Sequence, residues 1–305
     1  MDTNTGIGTT AGAPVTDEHV AAWRRDGYVV IPDFLTPAEV ERAVADVAAY
    51  RPTWAEIDAA PHRYPAVFGE ARGFDEFPYQ GDTLNAISVH PELMRTARRI
   101  LGTDEIALAT SLLWAKYAGL HDFEQELHAD YRNNTLVHPR EDGVYVQIPF
   151  ILYLTDVDTT MGPTYVVPRQ HTDGEPAHVN RRGRATHPDL YRYETPVTAT
   201  AGSLLMYTMS TFHRGSAITA TSGHRYTMHM VYRAAQCQWM GWRAWARYAD
   251  GPEMARFMVR ATPEQRCLLG VPAPGDAYWD ATTIEGVAAR YPGIDMTPYV
   301  AGVVS

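Results

Sequence analysis

The order of apolar and polar positions divides the chain into a helical opening and a strand-rich middle. Thr16, followed by the acids Asp17 and Glu18 and then by Val20, Ala21 and Trp23, predicts a short helix over 17–25 that stops at Asp26-Gly27. Tyr28 to Ile31 is a brief apolar run of strand type, halted by Pro32-Asp33. Thr36 then caps a second helix, in which Pro37 suits the first turn and Glu39 completes a capping box. Val40, Val44 and Val47 recur at spacings of four and three and mark its buried face. From about 51 to 100 the pattern is mixed, apart from a helix predicted from Pro91 to Ile100 and closed by Gly102.

Beyond this point the texture changes. Segments 105–117, 144–154, 164–167, 203–208 and 225–233 are short and rich in Val, Ile, Leu, Tyr and Met, with Gly, Pro, Asp and Thr clusters between them. They read as strands. Pro149 has no N–H for a ladder, so its segment is expected at a sheet edge or a bulge. After Gln236 the chain turns Trp-rich and then loop-rich, through Pro272, Pro274, Gly275 and Trp279 to Pro298. Trp239, Trp242 and Trp245 have near-helical spacing and are read as core packing. The Thr/Gly/Ala-rich residues 1–14 read as a loose tail, and 15–305 as a single domain without repeat or linker.

Composition narrows the functional classes. At 305 residues with 45% hydrophobic content the chain can bury a large core, and 26 Lys plus Arg against 36 Asp plus Glu give a net charge of −10. That charge repels polyanions, so no nucleic-acid partner is expected. No apolar run reaches the roughly 18 residues a membrane helix requires, so no membrane partner is expected either. Cys237 and Cys267 are too few for a disulfide framework or a thiolate zinc site, and a reducing cytoplasm is the expected setting.

The chemistry-bearing residues lie in the strand-rich middle. Leu127-His128-Ala129-Asp130-Tyr131 places an imidazole and a carboxylate two residues apart, and on a strand such residues share a face and can address one metal. Such a pair is common in proteins that bind no metal. A third ligand must come from elsewhere, and His213, after the strand-like run from Gly202 to Tyr207, is the candidate. Two histidines and a carboxylate on one face leave three adjacent coordination positions open, as an Fe(II) oxygenase needs for its co-substrate and O₂. In the segment from Arg225 to Arg233, alternation puts Arg225, Thr227 and His229 on one face and Tyr226, Met228, Met230 and Tyr232 on the other. A buried Arg225 would require an anion, and the distal carboxylate of 2-oxoglutarate is one; on a strand end it would instead be an ordinary surface arginine. His121, His138, His171, His224 and His229 are read as surface residues or as supports around the ligands.

With these residues in place, the chain resembles the phytanoyl-CoA dioxygenase family of iron(II)- and 2-oxoglutarate-dependent oxygenases. The likeness runs from Asp26-Gly27-Tyr28-Val29-Val30-Ile31-Pro32-Asp33-Phe34-Leu35-Thr36 through His128-Ala129-Asp130 and Met161-Gly162-Pro163-Thr164-Tyr165-Val166-Val167-Pro168 to His213, Arg225 and the closing Gly270-Val271-Pro272-Ala273-Pro274-Gly275 with Tyr278-Trp279 and Tyr299. It implies a mainly β fold, a double-stranded β-helix (jelly roll) buttressed by N-terminal helices. It also implies Fe(II) held by His128, Asp130 and His213, 2-oxoglutarate paired with Arg225, and O₂ as oxidant. Lys116 stands where members often carry a lysine near the co-substrate or substrate. The expected activity is oxidation of an unactivated C–H bond of a small molecule, with succinate and CO₂ as co-products. Arg169-Gln170-His171 departs from the family's usual Gly-Ser-His and suggests a loop shaped for another substrate. Asp130 is intact where related halogenases carry a small residue, which argues for hydroxylation over halogenation. Two rivals share the ligands or the fold: a cupin-like isomerase or cofactor-independent dioxygenase that dispenses with 2-oxoglutarate, and a catalytically silent binding protein.

Overall fold

The structure is a computed structural model that describes residues 12–49, 51–64, 74–120, 124–130, 145, 147–172, 174–176, 181–238, 245–249 and 251–300. His121, His138, Trp239, Trp242 and most of the tail read at 1–14 lie outside the described residues. In chain order the elements are α1 (Asp17–Asp26), β1 (Tyr28–Ile31), α2 (Pro37–Ala48), α3 (Trp54–Ala59), β2 (Phe74–Glu76), α4 (Asp82–Ser88), α5 (Pro91–Leu101) and β3 (Ile106–Tyr117). There follow β4 (Leu127–His128), β5 (Gln147–Tyr153), β6 (Thr164–Val166), β7 (Arg181–Arg182), α6 (Pro188–Arg192), β8 (Thr195–Val197), β9 (Leu204–Tyr207), β10 (His213–Gly215) and β11 (His224–Ala234). The chain ends with α7 (Pro252–Arg260), α8 (Pro263–Cys267), α9 (Ala281–Arg290) and α10 (Thr297–Val300).

The strands form two antiparallel sheets. One has six strands in the order β1-β9-β5-β11-β3-β2, the other five in the order β7-β4-β10-β6-β8. Ile151, Tyr153, Leu205 and Tyr207 of the larger sheet pack with Val166 and Val197 of the smaller, so the sheets face each other across a shared interior. This is the jelly roll that the resemblance implied. Strand alternation decides which residues see that interior. Along β11, Arg225, Thr227, His229, Val231 and Arg233 turn inward beside Lys116, Trp114, Leu112 and Thr110 of β3 and Tyr153, Ile151, Pro149 and Gln147 of β5. The alternate residues Tyr226, Met228, Met230 and Tyr232 turn outward and join one large core with Leu93, Met94 and Ala97 of α5, Leu84 of α4 and Val47 of α2. The helices therefore cover the outer face of the larger sheet and leave its inner face for chemistry.

Local signals account for the helical opening. Thr16 and Thr36 both cap through their hydroxyls, and Gly27 closes α1 at φ 86°, a left-handed conformation that suits glycine. Two expectations need correction. Pro149 is not on an edge strand, because β5 pairs with β11 on one side and β9 on the other. Pairing with β9 begins only at Phe150, so the missing N–H falls where that flank has no ladder to feed. The C-terminal stretch read as loop contains α7 to α10, and Met254 and Phe257 of α7 join the same core as the N-terminal helices. Pro252 and Pro263 stand at helix starts rather than breaking helices, while Pro272 and Pro274 lie in the irregular segment before α9. Trp245 packs in the core as expected, its Nε1 donating to Leu108 O at 2.9 Å.

Candidate metal centre

His128 ends β4 and His213 begins the neighbouring β10, and the two are direct partners across the ladder. Their rings stand 4.5 Å apart, centroid to centroid. Asp130 is not on the strand, as the two-residue spacing suggested; it follows the strand in a turn, held by its N–H on Met209 O at 3.2 Å. Even so, one ligand atom from each of His128, Asp130 and His213 lies within 4.8 Å of the others, and His213 Nε2 is 3.8 Å from Asp130 Oδ1.

Each of the three is oriented by a bond to its far atom. His128 Nδ1 lies 2.9 Å from Glu126 O and His213 Nδ1 lies 3.0 Å from Thr211 O. A carbonyl can only accept, so both Nδ1 atoms carry the proton and both Nε2 atoms keep a lone pair. Tyr207 on β9 donates its hydroxyl to Asp130 Oδ2 at 2.8 Å, which leaves Oδ1 on the side of the histidines. Supporting partners of this kind fix ligand tautomer and direction before any metal arrives.

The electrostatics follow the geometry. Burial, with His213 close by, pushes the His128 imidazole down to about 4, so it is neutral at physiological pH. Burial would raise the Asp130 carboxyl, but the imidazoles of His213 and His128 and the Tyr207 hydrogen bond outweigh it and hold it below the usual carboxylate range. The cluster offers two Nε2 lone pairs and one anionic oxygen.

Arg225 and Lys116 sit deeper in the same interior, directly opposite each other in register on β11 and β3. Both are buried. Arg225 Nη1 donates to Gly162 O, while its Nε has no partner; nearby, the buried Tyr153 hydroxyl also has none. Lys116 Nζ donates to Ser216 O at 2.9 Å. Two buried cations side by side repel each other, and unpaired polar atoms beside them are costly. The arrangement suits an anion.

Of the remaining histidines, His171 is not in this cluster: it stacks on Tyr193, with ring centroids 3.9 Å apart. His224 points to the outer face among Tyr117 and Tyr226. His229 answers to the second of its two readings, a support around the candidate ligands: it lies on the inner face with Arg225, Asp130 and His213 close by, and burial and the Arg225 charge push it down to about 3. Tyr207 and Tyr153 were not picked out in the sequence. Their inward parity on β9 and β5 was the available signal, but it has meaning only once the pairing is known.

A sequence profile of the phytanoyl-CoA dioxygenase family matches residues 23–225, about two thirds of the chain, including His128, Asp130, His213 and Arg225. The chain belongs to the phytanoyl-CoA dioxygenase family. No curated protein matches it. Among solved structures, this family member is similar to the non-heme alpha-ketoglutarate-dependent carbocyclase SnoK from nogalamycin biosynthesis, with a TM-score of 0.54 and 21% identity over 75% of this chain and 87% of that one. It is also similar to the epimerase SnoN in complex with Fe3+, alpha-ketoglutarate and nogalamycin RO, with a TM-score of 0.53 and 21% identity over 72% of this chain and 83% of that one. A third is HygX from Streptomyces hygroscopicus with nickel, 2-oxoglutarate and hygromycin B bound, with a TM-score of 0.54 and 16% identity over 75% of this chain and 90% of that one. At these identities the likeness is one of fold.

Proposed function

We propose that this dioxygenase-family protein uses Fe(II), held by His128, Asp130 and His213, together with 2-oxoglutarate and O₂ to oxidise an unactivated C–H bond of a small organic molecule. The observation that carries the reading is the convergence of His128 Nε2, His213 Nε2 and Asp130 Oδ1, with the opposite atom of each group tied to Glu126 O, Thr211 O or the Tyr207 hydroxyl. Two imidazoles and one carboxylate on one side are the donor set of non-haem Fe(II) oxygenases, and the open side admits co-substrate and O₂. Bound there, Fe(II) would supply O₂ activation coupled to oxidative decarboxylation of 2-oxoglutarate, with succinate and CO₂ as products.

The chain's own contribution is binding and orientation. Arg225 takes the distal carboxylate of 2-oxoglutarate through its unpartnered Nε, the Tyr153 hydroxyl adds a donor, and Lys116 adds a second positive charge in register. The inward apolar residues Ile151 and Leu205 keep water from the interior. Asp130 is a ligand here, which favours hydroxylation over halogenation. The neighbours named carbocyclase and epimerase put cyclisation and epimerisation beside it as outcomes for product analysis. Residues 15–305 are proposed to work as one catalytic unit, in a reducing compartment consistent with the free Cys237 and Cys267.

Anaerobic titration of the protein with Fe(II) and then 2-oxoglutarate tests the reading. The expected result is a metal-to-ligand charge-transfer band that requires both. Bound Fe(II) without that band, or 2-oxoglutarate binding that ignores the metal, would overturn it.

A further inference from the structure

Among the described residues, four buried side chains on the inner face of the larger sheet carry polar atoms without a hydrogen-bond partner: Arg225, Tyr153, Thr110 and Gln147. They fall into two pairs at opposite ends of β11. Arg225 and Tyr153 lie at its start, where Tyr153 is in register with Thr227; Thr110 is in register with Val231 and Gln147 with Arg233, at its end. His229 stands between the two pairs. A 2-oxoglutarate carboxylate accounts for the first pair. Nothing in that reading uses the second.

The second pair is not incidental surface polarity. Thr110 is 4% and Gln147 2% exposed, and the Thr110 hydroxyl and both amide atoms of Gln147 lack partners. A fold gains nothing from sealing an amide and a hydroxyl away from water with no bond to make. Arg233 is in register with Gln147 and stands two residues along β11 from Val231, the partner of Thr110. Its Nη1 donates to Ala234 O at 3.1 Å and Ala235 O at 2.7 Å, and among the described residues it makes no ion pair. Its Nε and Nη2 are left for another acceptor. A guanidinium, an amide and a hydroxyl together form a donor-rich, positively charged group, complementary to a carbonyl or carboxylate oxygen. Val231 and Pro149 beside Thr110, and Leu112 beside His229, are apolar and suit the body of a ligand.

We propose that Thr110, Gln147 and Arg233 form the anchoring subsite for the organic substrate, which therefore bears a carbonyl or carboxylate group and is not a plain hydrocarbon chain. At about 3.3 Å per residue, Val231 and Arg233 lie roughly 7 and 13 Å along the strand from His229. The inference rests on the functional reading above, since the interior must be a catalytic site for a substrate to enter it.

The test is a ¹⁹F NMR titration of metal-loaded, 2-oxoglutarate-saturated protein with 4-fluorobenzoate, 4-fluorobenzamide and 4-fluorotoluene. Wild type is compared with Gln147→Leu, Thr110→Val and Arg233→Met. The expected result is at least tenfold tighter binding of an oxygenated probe than of 4-fluorotoluene in the wild type, with that ratio collapsing towards one in Gln147→Leu. Because an unpaired buried polar group is removed, Gln147→Leu and the near-isosteric Thr110→Val should melt no lower than the wild type, and higher by about 2 °C if the full penalty is relieved. Three probes of equal affinity or no affinity, a ratio untouched by the variants, or a clear fall in melting temperature in Thr110→Val would each overturn the subsite. Failure of the functional reading is seen separately, as a wild type that lacks the Fe(II)- and 2-oxoglutarate-dependent band.

Discussion

The Tyr207 hydroxyl on the larger sheet donates to Asp130 Oδ2 on the smaller one at 2.8 Å, a bond that spans the interior and leaves Oδ1 facing the histidines. Tyr207 also lies against His213, with ring centroids 4.7 Å apart. Removing the hydroxyl takes away the bond that holds Oδ2. Tyr207→Phe is expected to weaken Fe(II) or Co(II) affinity by about 10–100-fold, the usual cost of losing a ligand's supporting partner. A metal titration read by the d–d spectrum of the Co(II) form checks both the affinity and the changed coordination.

Arg225 is expected to govern the co-substrate rather than the metal. A charge-assisted hydrogen bond contributes roughly 1.5–3 kcal/mol, so Arg225→Met should raise the 2-oxoglutarate dissociation constant by at least about tenfold. Calorimetric titration with 2-oxoglutarate at saturating metal measures this. Unchanged affinity would instead favour a metalloenzyme that does not use 2-oxoglutarate.

Gly162 links the Gly-Pro segment to this arginine, since its carbonyl accepts from Arg225 Nη1. It sits at φ 66°, and a β-carbon there would lie 2.8 Å from Ser216 O. Gly162→Ala should cost about 1–2 kcal/mol for the left-handed conformation alone, and more for the clash. Chemical denaturation should show the loss of stability, accompanied by weaker 2-oxoglutarate binding as the carbonyl moves.

The half-buried His229 should make the metal-free protein acid-sensitive. Its folded value is lowered to about 3 from 6.5, so below 6.5 the unfolded chain takes up a proton that the folded chain refuses. Stability is therefore present above about pH 6.5 and declines as pH falls towards the folded value, by about 3 kcal/mol at pH 4 from this group at 1.4 kcal/mol per unit. Melting curves from pH 7 to 4 should show the decline, and His229→Gln should reduce it by about half, since His128, lowered to about 4, contributes in the same direction.

The helical opening was legible because its signals are local. Thr16, Thr36 and Glu39 make their capping bonds within a single turn, and Gly27 and Gly102 close helices by conformations their own lack of a side chain permits. The inward set Arg225, Thr227 and His229 was equally legible, because alternation is a property of the strand itself. The helices after residue 250 were not, since short helices begun by proline look like loops until a core is there to receive Met254 and Phe257. Pro149 misled for a related reason: whether a missing N–H matters depends on whether a neighbour's ladder reaches that residue.

The sequence by itself determined the chemical parts of the site and the face on which several of them lie: His128 and Asp130 two residues apart, His213 as the third candidate, and Arg225 with Lys116 as cations on strands. Tertiary structure alone decided what surrounds them. It placed His128 against His213 across a ladder, brought Tyr207 over from the opposite sheet and left the side chains of Gln147 and Thr110 sealed without partners. The reason is physical. Residue type and period are written along the chain, but a hydrogen bond across the interior depends on register and sheet packing, which join residues as far apart as 130 and 207.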